Sequence, residues 1–302
     1  MKRCPKCNII DESGEIRFCA SCGTELFFLN RFERAGHGGS ILALYFSGTG
    51  NTKYIAELFS QKMDAACYSI EADVNFSAEI QRHSSIAVCY PIYGSRVPLI
   101  MREFIAKHVD DFKGKQLIVF VTQLAFSGDG ARVLTDIFPL NHVEVIYAAH
   151  FSMPNNISNT FFLRQRSDKS YAKKTRKADR KMDKICRDIK EGKVKKRGFS
   201  IFAKLIGKVQ GKPWQGDSRN PSATKGTMEY KAKHSVIIGA SCNACNICVK
   251  CCPMKNFENM QGIITPKDNC TVCYRCINCC PQKAISVWFS QKPQWQYRGI
   301  PK

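Results

Sequence analysis

This chain predicts an α/β protein built on a doubly wound, five-stranded parallel sheet. A small α+β metal-binding domain should follow it, and a metal-stapled ribbon should precede it. Three observations point there. Between residues 41 and 150, short apolar runs alternate with amphipathic stretches, the rhythm of buried parallel strands and the crossover helices that cover them. The cysteines from Cys242 to Cys280 form two copies of Cys-x2-Cys-x2-Cys-x3-Cys-Pro, offset by 28 residues. Two further Cys-x2-Cys knuckles stand within the first 29 residues.

The expected strands are Ile41–Phe46, Ser85–Tyr90, Gln116–Thr122 and Val143–Ala149, with a weaker one near Ala66–Ile70. Helices are expected at Thr52–Lys62, Pro98–Lys107 and Asp129–Ile137. Over residues 164–192, Tyr171, Thr175, Ala178, Met182, Ile185 and Ile189 recur every three or four positions, which gives one apolar seam on one long helix. Past Gly198, the apolar residues Phe199, Ile201, Phe202, Leu205, Ile206 and Val209 are spaced by Lys204, Lys208 and Lys212. Residues 215–234 are rich in Gly, Ser and Lys and read as a loose connector. The division is therefore 1–29 ribbon, 30–40 linker, 41–197 sheet domain, 198–234 basic amphipathic connector, 235–288 cysteine domain and 289–302 tail.

Each cysteine copy can supply three thiolates from one tight loop and a fourth to its twin's cluster, the ligand pattern of two [4Fe–4S] cubes. The ligands are then Cys242, Cys245, Cys248 and Cys252, with Cys270, Cys273, Cys276 and Cys280. Zinc also takes four cysteines, but it needs no crossing fourth ligand and explains the spacing poorly. Cys251 and Cys279 are left over, beside ligands, either packing near the cubes or recruited as alternative ligands. At the other end, Cys4, Cys7, Cys19 and Cys22 suit a tetrahedral Zn2+ ribbon, with rubredoxin-type iron as the alternative. A segment that short needs a metal because it has too little apolar surface to bury. Cys67, Cys89 and Cys186 lie in apolar or amphipathic contexts and read as core residues.

The formal charge of +21 is local, because residues 164–233 hold 23 Lys or Arg against 7 Asp or Glu. No apolar leader follows Met1-Lys2-Arg3, and no apolar run is long enough to span a bilayer. The expectation is a cytoplasmic protein whose thiols stay reduced and available to metal.

The first strand ends in Ser47-Gly48-Thr49-Gly50-Asn51-Thr52, just ahead of a helix. Hydroxyls, glycines and a helix N-terminus together make a cradle for a terminal phosphate. A Walker A loop is excluded for want of Gly-Lys-Ser/Thr, and the dinucleotide fingerprint for want of a third glycine where Lys53 stands.

Ser47–Thr52 resembles the flavodoxin phosphate loop Thr-x-Thr-Gly-x-Thr, with serine at its first position. Tyr90-Pro91-Ile92-Tyr93-Gly94-Ser95 is similar to the second flavin loop of that family, and Thr122 to Gly130, including Phe126-Ser127-Gly128, to the third. Met153-Pro154-Asn155-Asn156 is a further mark. Together with the duplicated cysteines, residues 40–290 resemble the EFR-type ferredoxins, fusions of a flavodoxin-like domain with a two-cluster ferredoxin domain.

The resemblance implies FMN, held by Ser47, Gly48, Thr49, Gly50, Asn51 and Thr52 at the phosphate. Pro91, Tyr93, Gly94, Thr122, Phe126, Ser127 and Gly128 would then lie at the ring. Tyr93 has two readings, stacked on the ring or packed on the sheet. The combination implies electron transfer between FMN and two [4Fe–4S] clusters, as an oxidoreductase or shuttle for a soluble redox partner protein. A redox-sensing or nucleic-acid-binding regulator is the alternative, carried by the ribbon and the basic segment, although a charge run is usually one solvated helix face. Residues 199–209 also fit a peripheral membrane contact.

Overall fold

The computed structural model describes residues 41–158, 167–217, 219–222, 224–287 and 292–300, with the short stretches 2–3, 10–11, 18–19, 22–23 and 27–28. The linker expected at 30–40 lies outside the described residues, as do Cys4 and Cys7. At the N-terminus, β1 (Lys2–Arg3), β2 (Ile10–Asp11) and β3 (Phe27–Phe28) form a small antiparallel sheet in the order β2-β1-β3. Cys19 and Cys22 pack against each other there.

The main sheet comprises β4 (Ile41–Tyr45), β5 (Ala66–Ser69), β6 (Ser85–Pro91), β7 (Gln116–Gln123), β8 (Glu144–Ser152) and β9 (Lys195–Lys196). Its order is β5-β4-β6-β7-β8-β9, and every pairing is parallel. There are six strands, not the five expected. The extra strand is two exposed lysines lying beside Tyr147 and Ala148. It has no apolar alternation, so no sequence signal marks it.

Side chains alternate across this sheet, as the period of two requires. Leu42, Leu44 and Phe46 enter one core, while Ile41, Ala43 and Tyr45 enter the other. The first core is closed by α2 (Phe76–Arg82) and α3 (Leu99–Lys107), through Phe76, Ile80, Met101, Phe104 and Ile105. The second is closed by α1 (Asn51–Met63) and α4 (Asp168–Lys190), through Ile55, Phe59, Ala178, Met182 and Ile185. The long seam expected in α4 is thus its buried face. The helix expected at Asp129–Ile137 is instead a 3-10 turn, Arg132–Ile137.

After β9 come α5 (Ile201–Gln215) and α6 (Met228–Lys233). The connector expected to be loose is fastened, because Glu229 of α6 makes a two-pronged ion pair with Arg102 of α3. The cysteine region is an α+β unit. In it β10 (Val236–Ile238) pairs with β13 (Ile285–Val287), and β11 (Phe257–Met260) with β12 (Ile263–Pro266). Two short helices, α7 (Ile247–Cys251) and α8 (Arg275–Cys279), complete it.

One buried group makes the fold acid-sensitive. His150 on β8 is 4% exposed, and its pKa falls to about 3, first through burial and then through Arg197 and Lys181. Unfolding returns it to about 6.5, so the unfolded chain binds the extra proton. Its contribution is whole above about pH 6.5 and is lost progressively as the pH falls toward 3. A loss of at most about 4–5 kcal/mol is expected over that window. His150→Asn should flatten this part of the stability profile in urea titrations; an unchanged acid limb would count against the assignment.

Candidate functional site

A cavity of about 360 Å3 opens at the carboxyl ends of four neighbouring strands, within the range of about 300–1,000 Å3 usual for small-molecule sites. Ser47 to Thr49, Asn51 and Thr52 line it after β4, Pro91 to Gly94 after β6, Thr122 to Leu124 at the end of β7, and Met153 to Ile157 after β8. Its remaining walls come from α5 (Gln210, Trp214), α6 (Met228) and the cysteine unit (Val272, Tyr274).

Gly50, with φ +101°, turns the chain into α1 and donates its N–H to Ser47 Oγ at 3.0 Å. No side chain caps α1, and no acidic residue stands in its first turn. The first amides of this 13-residue helix therefore keep the positive pole that favours an anion. The loop is held from behind: Thr52 Oγ1 is 2.7 Å from Thr122 Oγ1, Asn156 donates to Thr49 Oγ1, and Asn51 donates to the Pro154 carbonyl. Gly48 is constrained by the cysteine unit, since a Cβ there would run into the Cys273 carbonyl.

The third loop divides between the cavity and its own packing. Gln123 and Leu124 line the cavity, whereas Phe126, Ser127 and Gly128 do not. Phe126 is 51% exposed. The Ser127 hydroxyl is taken up by Gln123 and His150, and Gly128 packs on Gly207 of α5. Tyr93 lines the cavity and also packs against the sheet core and the cysteine unit. Among the described residues its buried hydroxyl has no hydrogen-bond partner. Burial pushes that phenol well above its usual pKa.

Two small cavities lie in the cysteine unit. Cys242, Cys245, Cys248 and Cys280 line one, and Cys270, Cys273, Cys276 and Cys252 line the other. Each set draws three cysteines from one copy and the fourth from its twin. Among the described residues no three His, Cys, Asp or Glu side chains close on a single ion. A cube is larger than one ion, however, and its four thiolates bind four different irons.

The backbone repeats with the sequence. Left-handed residues occur at Ala244 and Val272, at Asn246 and Tyr274, and at Lys255 and Lys283, each pair 28 positions apart. Valine in that region is uncommon and strained. Amides point at the thiols in register too, Asn256 N to Cys252 Sγ and Ala284 N to Cys280 Sγ, both at 3.3 Å. Burial pushes the Cys248 thiol up to about 11 and Cys273 up to about 12. Such thiols ionise only beside strong positive charge, which bound metal supplies. Cys251 and Cys279 line neither cavity; their thiols hydrogen-bond to each other between α7 and α8.

A family model described as a flavodoxin domain matches residues 42–219. The chain belongs to the flavodoxin domain family. Three solved structures are similar to it. One is the two-electron reduced flavodoxin of Megasphaera elsdenii, 19% identical, spanning 47% of this chain and 98% of that one, at a TM-score of 0.34. Another is a flavodoxin from the domain Archaea, 18% identical, spanning 48% and 97%, at 0.31. The third is a flavoprotein in complex with FMN from Lactobacillus acidophilus, 13% identical, spanning 36% and 91%, at 0.28. No curated protein matches. Members of the flavodoxin family bind flavin for electron transfer, and the cavity of this flavodoxin domain stands at the strand ends where an open α/β sheet binds its ligand.

Sequence reading missed Trp214, Met228, Val272 and Tyr274. A signal did exist for two of them. Where the first cysteine copy has small Ala244 and Asn246, the second has Val272 and Tyr274, and the added bulk covers something.

Proposed function

We propose that this chain is an electron-transfer protein that passes electrons between FMN in the flavodoxin cavity and two [4Fe–4S] clusters, for a soluble redox partner protein. One observation carries the reading: Val272 and Tyr274 line both the flavodoxin cavity and the cavity of Cys252, Cys270, Cys273 and Cys276. A single loop is the wall between the two candidate cofactor sites. Bound FMN would exchange electrons in pairs or singly, and each cube one at a time.

The chain's own residues do the holding. The uncapped N-terminus of α1 and the Thr49, Asn51 and Thr52 loop take the phosphate, while Pro91, Tyr93, Gly94 and Trp214 wall the ring. Cys242, Cys245, Cys248 and Cys280 hold one cube and Cys252, Cys270, Cys273 and Cys276 the other. The orphaned Tyr93 hydroxyl, beside Cys270 and Cys273, is placed to donate to sulfur, one of the ways a protein sets a cluster potential. Cys4, Cys7, Cys19 and Cys22 hold Zn2+ in a ribbon that serves docking or capping. The residues 41–197, 198–234 and 235–288 are then flavodoxin domain, connector and ferredoxin domain.

The test is a count of cofactors in protein purified without oxygen. About eight iron, one zinc and one FMN per chain are expected. Cys280→Ser should spoil the cube of the first cysteine copy and leave that of the second. Flavin without iron would sink the proposal, and damage confined to the second copy's cube would sink the crossed assignment.

A further inference from the structure

Helix α5 has two opposite faces. Ala203, Gly207, Gly211 and Trp214 are buried against the flavodoxin loops. Gly207 lies against Gly128 and Asp129, and its carbonyl accepts from Arg96. On the other side stand Ile201, Phe202, Leu205 and Val209, which are 87%, 70%, 61% and 69% exposed. At 3.6 residues per turn these four fall on one side of the helix, diametrically opposed to the buried four. Lys204, Lys208 and Lys212, all exposed, run along the flank of that ridge. From residue 192 to residue 216 the sequence has seven Lys or Arg and no Asp or Glu. Among the described residues, those three lysines have no ion-pair partner.

We propose that this face of α5 seats the protein on an anionic lipid bilayer. A solvated helix needs no such ridge, and a buried one would not leave it this exposed. The charge selects an anionic occupant, and the shape selects a bilayer. The apolar residues protrude from a convex helix, where a protein partner would need a matching groove, while a lipid interface accepts any amphipathic ridge. The inner face of the same helix lines the flavodoxin cavity through Gln210 and Trp214, so seating α5 brings that cavity close to the membrane plane. This goes beyond the electron-transfer reading and does not depend on it.

The test is vesicle cosedimentation of the full-length protein as purified. Vesicles with about 30% phosphatidylglycerol should bind it, pure phosphatidylcholine should not, and about 0.5 M salt should release most of it. The double change Phe202→Glu/Leu205→Glu should weaken binding at least about tenfold, since both apolar area and charge are lost. Leu140→Glu, at a position 92% exposed elsewhere, should bind like the unaltered protein. Absence of binding to anionic vesicles overturns the proposal, as does equal binding by the double variant. A concentration-dependent dimer abolished by the double change would give the face to a second copy instead. A stable complex with an acidic ferredoxin, without vesicle binding, would give it to a protein partner.

Discussion

Changing Arg275 to methionine is expected to cost about 3–5 kcal/mol, the range for removing one member of a buried ion pair. Arg275 is 6% exposed and sits at the start of α8, two residues past Cys273. Its guanidinium donates twice to Glu71, at 2.6 Å each, and also to the carbonyls of Ser47, Gly48 and Cys251. One side chain therefore ties the phosphate loop, the turn after β5 and both short cysteine helices. Methionine fills similar space but satisfies none of these acceptors, and three are backbone carbonyls whose contact with the guanidinium is buried. Glu71 is partly open to solvent, so its rehydration moderates the loss. Arg275→Lys should fall in between, since a single ammonium cannot reproduce the planar fork. Urea unfolding measures the change, and flavin affinity should weaken in parallel because Ser47 and Gly48 lose their anchor. A methionine variant with unaltered stability and flavin affinity would show that the two units are not coupled through this residue.

A comparable loss, again about 3–5 kcal/mol, is expected for Arg102→Leu. Arg102 is fully buried, and its partner Glu229 is 3% exposed. Two hydrogen bonds of 3.0 and 2.7 Å join them, and a third runs from Arg102 to the Val97 carbonyl at 2.6 Å. Leucine leaves the Glu229 carboxylate buried without a countercharge. The double variant Arg102→Leu/Glu229→Leu should regain most of the stability, because desolvating two charges offsets most of what their attraction contributes. If the double variant is as unstable as the sum of the single ones, the pair is not acting as a unit. The pair also fixes α6, so the single variant should loosen Met228 and Trp214 at the flavodoxin cavity.

Where apolar periodicity was strong, the sequence was readable. The seam from Tyr171 to Ile185 is the buried face of α4, and all five strand expectations agree with β4 to β8 within a few residues. Short elements escaped. Two exposed lysines make β9, and six residues make α6, whose place depends on one distant arginine. In the third loop, which resemblance would put at the ring, Ser127 bonds to His150 and Gly128 packs on α5, contacts that no local pattern in the sequence marks.

What the sequence alone determined is local: alternating apolar runs that must be strands, a glycine turn that opens a helix end, and one cysteine spacing written twice. These follow from bond geometry and from periods of a few residues. Only the tertiary structure decided that the second cysteine loop forms a wall of the flavodoxin cavity, that Gly48 must make room for Cys273, and that Arg275 fastens the two. Those contacts join residues more than two hundred positions apart, and at such separations shape and burial set the partner, not spacing along the chain.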